Sequence, residues 1–238
     1  MREPTKMKID EGSFGVMNYS GTKDGAISYK DVEIGESRFY LFTKRLIDIV
    51  GSAAGLILLS PIMAMVAIAI KLESKGPAVF GHNRVGMNGK IIKVYKFRSM
   101  YSNASEIFNN FTHEQKQEYY INFKLENDPR VTKVGEFIRK TSLDELPQLF
   151  NILIGNMSIV GPRPIVEKEK VKYGMYIDKM LSVTPGLTGY WQANGRSDTT
   201  YAERVQMDMY YIDNRSFLMD LKIMIKTVLS VVKKEGAI

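Results

Sequence analysis

The sequence predicts an α+β protein: a re-entrant membrane helix hairpin near the N-terminus, followed by a small mixed, largely helical domain with amphipathic interfacial helices. Three observations predict this class. An uncharged run from Ile49 to Ile70 is as long as a membrane-crossing helix but carries Ser60-Pro61 at its centre. Short apolar runs and helix-spaced patterns then follow in mixed order, and the positive excess behind the net charge of +7 lies beyond residue 40.

Composition limits both the size and the chemistry of the protein. At 238 residues the chain holds one ordinary domain with a full core and a small accessory segment. It has no cysteine and two histidines, His82 and His113, which argues against disulfides, a thiolate nucleophile and a His-based zinc site. Carboxylates, lysines and arginines are left to carry any chemistry. The positive excess favours an anionic partner, namely nucleic acid, acidic lipid headgroups or a phosphorylated small molecule.

Residues 1–40 are polar, with glycines scattered among charges and no sustained period. We expect a weakly ordered tail.

Residues 41–75 form the expected membrane segment. A helix of about 22 residues would reach roughly 33 Å, about the thickness of a hydrocarbon core. Basic residues flank both ends, and such flanks favour the cytoplasmic side. Both ends on one side require a hairpin, so we predict a re-entrant helix-break-helix that turns at Ser60-Pro61. The Ser60 hydroxyl is expected to satisfy a carbonyl that the proline frees. The basic flanks are Lys44, Arg45, Lys71 and Lys75.

Two other interpretations of this segment stay open. One is a single transmembrane helix kinked at Pro61, and the other is a buried core helix of a soluble protein. The small residues from Gly51 to Gly55 suit close helix packing in either. The hairpin is favoured because it accounts for the basic flanks and the central proline together.

Residues 76–238 are expected to form the folded body. Residues 77–80 and 91–97 have the pattern of β-strands joined across a turn at Gly86-Met87-Asn88-Gly89. Residues 101–124 are polar and predicted to be helical. Apolar residues from Leu146 to Ile154 then recur at helical spacing, with Gly155 as the C-cap.

The last predicted helix is amphipathic and basic. Its lysines, Lys222, Lys226 and Lys233, lie on other faces than its apolar stripe. Such a helix lies on an anionic membrane surface or packs on the domain core, and the pattern does not choose between them. The stripe comprises Leu218, Leu221, Ile225, Val228, Leu229 and Val232.

The densest polar cluster runs from Arg139 to Gln148. One interpretation is structural: Ser142 and Glu145 fit a capping box, or Asp144 is the N-cap with Pro147 in the first turn. The other is chemical, because a carboxylate at a helix N-terminus is favoured in its ionised form, a usable nucleophile or Mg²⁺ ligand. The residues alone favour capping.

Two further segments offer cations for a phosphate. In Val160–Pro164, two prolines and a glycine fix the backbone around Arg163, whose rigid fork suits phosphate oxygens. A rigid surface turn explains the same pattern. Lys96-Phe97-Arg98 and Asp128-Pro129-Arg130 supply more positive charge.

A third segment, Thr184–Gln192, combines glycines with the single tryptophan and is soon followed by Gly195-Arg196. It suits a nucleotide or sugar site, or equally a tight loop around a buried Trp191. No D-x-D, G-x-x-x-x-G-K-[ST] or G-x-G-x-x-G sequence occurs. Those absences weigh against many soluble nucleotide-sugar glycosyltransferases, kinases, NTPases and dinucleotide enzymes.

Taken together, these segments resemble the bacterial sugar transferase family, the monotopic phosphoglycosyl transferases that start membrane glycan assembly. The resemblance runs from about Lys44 to the C-terminus, and it is specific because many motifs occur in the same order. They are Lys44-Arg45, Ser60-Pro61, Lys96-Phe97-Arg98-Ser99-Met100, Asp128-Pro129-Arg130-Val131-Thr132, Ser142-Leu143-Asp144-Glu145-Leu146-Pro147-Gln148, Gly161-Pro162-Arg163-Pro164 and Pro185-Gly186-Leu187-Thr188-Gly189.

The resemblance implies an enzyme that moves a sugar-1-phosphate from a UDP-sugar to undecaprenyl phosphate and releases UMP. This step initiates the synthesis of exopolysaccharide, capsule or another cell-surface glycan. Asp144 matches the family nucleophile, which forms a covalent phosphosugar intermediate, and Glu145 completes the Asp-Glu dyad. The family requires Mg²⁺, for which this dyad supplies the candidate ligands. The matched phosphate- and nucleotide-binding positions are Arg139 and Arg163, joined by Lys96 and Arg98 from the Lys-Phe-Arg motif.

By the same resemblance, residues 76–238 are a catalytic domain at the cytoplasmic face of a bacterial cell membrane. Membrane lipids are expected partners and nucleic acid is not, while the choice of UDP-sugar and a homo-oligomer are left open. The alternative function is a non-enzymatic, membrane-anchored scaffold or regulator of a glycan-assembly complex, which would release no UMP.

Overall fold

The computed structural model describes residues 37–122, 125, 127–195 and 199–233. Residues 1–36 of the expected tail lie outside this part of the chain, as does Arg196 of the third segment. The last residues of the expected tail belong instead to the first helix, which begins at Arg38.

Helix α1, Arg38–Glu73, runs through Pro61 without interruption, so the prediction of two helices separated at Ser60-Pro61 is corrected. Proline lacks the N–H that would bond the carbonyl four residues earlier, at Ile57. The Ser60 hydroxyl donates to that carbonyl at 2.8 Å, as expected from the sequence. Because the side chain supplies the missing donor, the backbone remains helical where a break was predicted.

One side of α1 packs on the body while the other is apolar and exposed. Asp48, Ser52, Val66 and Ile70 are buried at intervals along its whole length. In the described part of the chain, α1 is the one helix long and apolar enough to cross a membrane. Its exposed face disagrees with the alternative of a buried core helix. That face includes Leu46, Val50, Ile57, Leu58, Met65, Ile68 and Leu72.

A β-hairpin follows α1. Strands β1, Val79–Val85, and β2, Ile91–Phe97, pair antiparallel from Val79↔Phe97 to Val85↔Ile91. The predicted turn is confirmed as a short 3-10 segment, Met87–Gly89, in which Asn88 has a left-handed φ of 58°. The first strand begins near its expected position but continues five residues further. The polar helix expected over residues 101–124 is two helices, α2, Ala104–Asn109, and α3, His113–Asn122.

The rest of the body consists of short helices around two parallel strands. Strand β3, Ser158–Val160, pairs with β4, Gly186–Thr188. The main core lies beneath them and is built from Val160, Tyr211, Ile212, Ile223 and their neighbours. The helices are α4, Lys133–Lys140; α5, Gln148–Leu153; α6, Lys170–Tyr173; α7, Ile177–Leu181; α8, Tyr190–Asn194; α9, Tyr201–Asn214; and α10, Phe217–Val232.

Helix α10 packs on the body, which is one of the two interpretations that the sequence left open. Its inner face, with Ile223 and Asp220, is buried against the body. The predicted apolar stripe is exposed instead, with Leu218, Ile225 and Val228 each more than half exposed. The helix therefore packs on the core and still presents an apolar surface outward.

Candidate active site

Asp144 and Glu145 lie on a 3-10 turn, Leu143–Glu145, between α4 and α5. The chain enters the turn through Ser142, whose φ of 57° is in the left-handed region. Leu143 and Leu146, on either side of the two carboxylates, pack against the cluster that contains Val66 and Ile70 of α1. The turn is thereby held directly on the second half of the long apolar helix.

Both capping interpretations of this cluster are wrong. Ser142 makes no side-chain cap hydrogen bond, and α5 begins after Pro147 as its N-cap residue. The Glu145 carboxylate accepts instead from the Lys96 ammonium at 2.6 Å. In a capping box the Glu145 carboxylate would accept from a backbone N–H, but here it accepts from a lysine of the β1–β2 hairpin.

Lys96 places its ammonium between the two carboxylates. Its Nζ lies 2.6 Å from Glu145 Oε1 and 3.6 Å from Asp144 Oδ2. All three side chains are largely buried, with 19%, 22% and 14% exposed for Lys96, Glu145 and Asp144. Asn151 of α5 fixes the hairpin here, because its side chain accepts from Tyr95 N and donates to Lys93 O.

Arg139, in the last turn of α4, supplies a second cation beside Asp144. Its Nε donates to Ser99 Oγ at 2.8 Å. Helix α4 approaches Ser99 so closely that any Cβ at Gly135 would overlap the Ser99 backbone. This close approach requires glycine, and it brings the Arg139 guanidinium within range of the Asp144 charge.

Arg163, in the loop after β3, is the third cation beside the two carboxylates. Its Nη2 lies 3.6 Å from Glu145 Oε1, and the side chain is 36% exposed. Two backbone hydrogen bonds fix the loop, from Gly161 N to Thr188 O and from Gly186 N to Pro162 O. The glycines of both motifs serve this close pairing, since a Cβ at Gly161 would stand 2.5 Å from the Thr184 carbonyl oxygen.

The environment separates the pKa values of the two carboxyls. Burial raises the pKa of Asp144, the neighbouring Glu145 charge adds to this, and Lys96 and Arg139 offset it only in part. Burial acts on Glu145 too, but Lys96 and Arg163 together hold its pKa below the usual range. The sequence prediction that a helix terminus favours the ionised form is therefore wrong for Asp144, and for Glu145 the two cations, not a helix terminus, favour the ionised form.

Arg84 on β1 is a cation of this site that sequence reasoning missed. Its side chain is 19% exposed, with Nη1 3.5 Å from Glu169 Oε2 and 3.4 Å from Pro164 O. The Arg163 and Glu145 charges both act on it. The sequence did contain a signal for Arg84. Alternate residues of a strand share one face, so Arg84 lies on the same face as Phe80, which pairs with Lys96 of the neighbouring strand.

Two predicted cations are used elsewhere. Arg98 is buried and donates to the carbonyls of Ser74 and Lys75, just past the end of α1. Arg130 forms a close ion pair with Asp128 and stacks within 5.2 Å of the Phe108 and Phe111 rings. Arg98 binds backbone carbonyls and Arg130 binds neighbouring side chains, whereas Lys96, Arg139 and Arg163 are the predicted cations that the structure brings to the carboxylates.

The third segment is not the tight loop of the structural interpretation: it contains strand β4 and the start of helix α8. Gly186 and Gly189 lie against the Gly161 backbone, and Trp191 is half-buried beneath the Arg204 guanidinium at 4.6 Å. The glycines are explained by this packing without a nucleotide.

A metal ion would have two carboxylates available here. Among the described residues, no group of three or more histidine, aspartate or glutamate side chains converges on one point. The Asp144 and Glu145 oxygens nevertheless face the same point, where the Lys96 ammonium lies in this structure. Mg²⁺ is usually held by one or two carboxylates together with substrate phosphates, so the pair supplies ligands of the right type, and Mg²⁺ would take the place of the ammonium between them.

Comparison with known proteins gives a consistent set of relatives. The model of the family described as "Bacterial sugar transferase" matches residues 39–234. The "undecaprenyl-phosphate galactose phosphotransferase" of Salmonella typhimurium is 47% identical over 199 residues, which cover 82% of this chain and 42% of the relative. The "exopolysaccharide production protein ExoY" of Sinorhizobium fredii is 43% identical over 82% of this chain and 88% of the relative.

A third relative has a different sugar in its name. The "UDP-glucose:undecaprenyl-phosphate glucose-1-phosphate transferase" of Escherichia coli is 44% identical over 78% of this chain and 39% of the relative. The chain thus spans less than half of the longer relatives but most of the length of the ExoY protein.

Proposed function

The chain belongs to the bacterial sugar transferase family, and on that premise we propose that it transfers a sugar-1-phosphate from a UDP-sugar to undecaprenyl phosphate, releasing UMP. The reaction would begin the synthesis of exopolysaccharide, capsule or another cell-surface glycan. The names of the relatives support the substrate class, because two of them contain undecaprenyl phosphate and a hexose.

The observation that carries the proposal is a largely buried carboxylate pair, Asp144 and Glu145, among cations from three separate elements. Lys96 comes from β2, Arg139 from α4 and Arg163 from the loop after β3. Such a site suits a reaction in which one carboxylate must approach a doubly charged diphosphate.

In the first step, an Asp144 carboxylate oxygen attacks the β-phosphorus of the UDP-sugar. An O–P bond forms to Asp144, the bond from the β-phosphorus to the bridging oxygen breaks, and UMP leaves with that electron pair. The product is an aspartyl phosphosugar on the enzyme. Splitting the transfer in this way replaces one difficult displacement by two easier ones.

In the second step, a phosphate oxygen of undecaprenyl phosphate attacks the same phosphorus. The bond from phosphorus to Asp144 breaks, the carboxylate is restored and the lipid carries a sugar diphosphate. Because the acceptor phosphate is already ionised at neutral pH, this step needs no general base.

The surrounding side chains hold the charge that develops on phosphorus. In this proposal Arg163 and Arg84 bind the diphosphate oxygens, while Arg139 and Lys96 favour the ionised Asp144 carboxylate. Mg²⁺, held by Asp144 and Glu145 in place of the Lys96 ammonium, would add Lewis-acid stabilisation of the phosphate charge.

The same proposal places the protein at the cytoplasmic face of the membrane, with both ends of α1 on that side. Near its start, Arg45 donates to the carbonyls of Ile152 and Leu153 at 2.7 and 2.8 Å. At its end, Glu73 accepts from Lys133 N at 2.8 Å. A helix bound at both ends to one polar body lies along the membrane surface rather than across it, which is the monotopic arrangement.

A UMP-release assay tests the proposal. Purified protein in detergent is incubated with Mg²⁺, undecaprenyl phosphate and, in separate reactions, UDP-glucose, UDP-galactose and their N-acetylated analogues. We expect UMP release with at least one donor, and its loss in Asp144→Asn while membrane binding persists. Absence of release with every donor would favour the scaffold alternative, and full activity of Asp144→Asn would exclude Asp144 as the nucleophile.

A further inference from the structure

A groove lies between α8, α9 and α10, away from the cluster around Asp144. It encloses about 330 Å³ and is lined by Tyr190, Tyr210, Lys222, Lys226 and apolar residues of α10. The two tyrosine rings pack with centroids 5.1 Å apart, which gives one wall a fixed aromatic surface. A volume of this size is at the lower end of the range for ligand sites.

The described lining of the groove is positively charged. Among the residues that the structure describes, it contains two lysines and no acidic side chain. Lys226 Nζ contacts the neutral Asn194 Oδ1 at 2.6 Å. The acidic residue of α10, Asp220, lies on the opposite side, where Lys44 binds it at 2.7 Å. The groove therefore favours an anionic ligand.

The lysines lie at the edge of the exposed apolar stripe of α10. Successive helical residues are about 100° apart, so Lys222 and Lys226 follow Leu221 and Ile225 around the helix toward the groove. Leu218 belongs to both surfaces, since it lines the groove and is 58% exposed. Lysines in this position extend their ammonium groups to the headgroup level when the apolar side of the helix enters lipid.

We propose that this groove binds the headgroup phosphate of an anionic glycerophospholipid, with Lys222 and Lys226 at the phosphate and the α10 stripe against the acyl chains. The inference rests on the membrane location proposed above and not on the transfer chemistry. The acceptor lipid is a different occupant, because Asp144 lies beside the second half of α1 while α10 contacts the first half through Tyr40 and Lys44.

The proposal is tested by titrating the full-length protein in detergent with short-chain phosphatidylglycerol and with short-chain phosphatidylcholine, followed by calorimetry. We expect saturable binding of phosphatidylglycerol at least about five times tighter than that of phosphatidylcholine. Lys222→Gln/Lys226→Gln should abolish the preference, and Lys222→Arg/Lys226→Arg should retain it. The matched control, Lys90→Gln/Lys168→Gln, removes the same charge from exposed positions elsewhere and should also retain it.

Three results would overturn the proposal: a preference that survives in Lys222→Gln/Lys226→Gln, an equal loss in the control variant, or full displacement of the lipid by equimolar inorganic phosphate. UMP release in detergent without phospholipid is measured in parallel and should be unchanged in all three double variants. A failure of lipid binding is thus distinguished from a failure of the transferase proposal.

Discussion

At the scale of single residues, the environment of Asp144 bears directly on the proposed nucleophile role, because burial opposes the ionisation that attack would require. Burial and the Glu145 charge raise the pKa of Asp144, while Lys96 and Arg139 lower it. The Lys96 ammonium therefore favours the carboxylate form of the proposed attacking group.

This balance predicts a pH effect. Activity should fall as pH drops through the raised pKa of Asp144, and Lys96→Met should shift this acid limb to higher pH, because removing the ammonium removes a charge that favours ionisation. The profile of UMP release against pH measures the shift. A limb at the same pH in Lys96→Met would show that Lys96 does not act on the group that titrates.

A second buried carboxylate, Asp208 on α9, makes stability depend on pH. It accepts from Tyr173 OH at 2.8 Å, its other oxygen has no hydrogen-bond partner among the described residues, and burial raises its pKa to about 7. The folded state then holds a proton that the unfolded chain releases near pH 4. The free energy of unfolding should therefore decrease as pH rises from about 4 to about 7, by up to about 1.4 kcal/mol per pH unit.

Asp208→Asn should remove this dependence. Asparagine keeps an acceptor for Tyr173 and does not ionise, so the variant should gain stability over the wild type at pH 8 and little at pH 4. Urea unfolding in detergent at both values measures the difference. If Asp208→Asn differed from the wild type by the same free energy of unfolding at pH 4 and at pH 8, Asp208 would not be the group that makes stability depend on pH.

At the scale of elements, α1 holds both loops that form the site. In its first half, Asp48 accepts from Ile159 N at 2.8 Å and from Ser158 Oγ at 3.0 Å, which fixes the strand that leads to Arg163. In its second half, Glu73 accepts from Lys133 N and Val134 N at the start of α4. Helix α4 then carries Arg139 and the Asp144 turn.

Glu73→Gln should therefore weaken both folding and catalysis. Losing a charged acceptor at a helix N-terminus costs about 1 kcal/mol, and loosening α4 should lower UMP release several-fold. Glu136→Gln is the matched control, because Glu136 lies on the same helix in an exposed pair with Lys140, and such pairs contribute little. Equal activity losses in the two variants would contradict a role for the α1–α4 junction.

Local features were predictable from the sequence where near neighbours decide them. The Gly86–Gly89 turn and the Ser60 hydroxyl bond depend on residues within a few positions. Contacts between residues far apart in the sequence explain why other predictions were wrong. Glu145 does not cap a helix, because its carboxylate binds Lys96, which is 49 residues away. Arg98 binds the backbone at the end of α1, so it is not available for phosphate. Arg84 was missed because its neighbours come from three other segments.

At the scale of the whole molecule, the long helix and the body form one unit with a polar site on one side and apolar surfaces on α1 and α10. This arrangement predicts that the two ends of α1 face the same compartment. The chain lacks cysteine, so single cysteines placed by Ser37→Cys, Lys75→Cys and Leu58→Cys can be labelled without interference.

An impermeant maleimide should label Ser37→Cys and Lys75→Cys only in inverted membrane vesicles. Leu58→Cys, on the exposed apolar face, should resist labelling in either vesicle orientation because lipid covers it. Labelling of the two end positions from opposite sides would instead show that α1 crosses the bilayer as a kinked span.

The central claim is that Asp144 becomes covalently bonded to the phosphosugar, and trapping that intermediate tests it most directly. Protein is incubated with Mg²⁺ and an active UDP-sugar without lipid acceptor, then analysed by mass spectrometry, intact and after digestion. We expect an added mass of one sugar phosphate on the peptide that contains Asp144, removed by undecaprenyl phosphate and absent in Asp144→Asn. A wild-type enzyme that turns over but never carries this mass, or carries it on another residue, would contradict it.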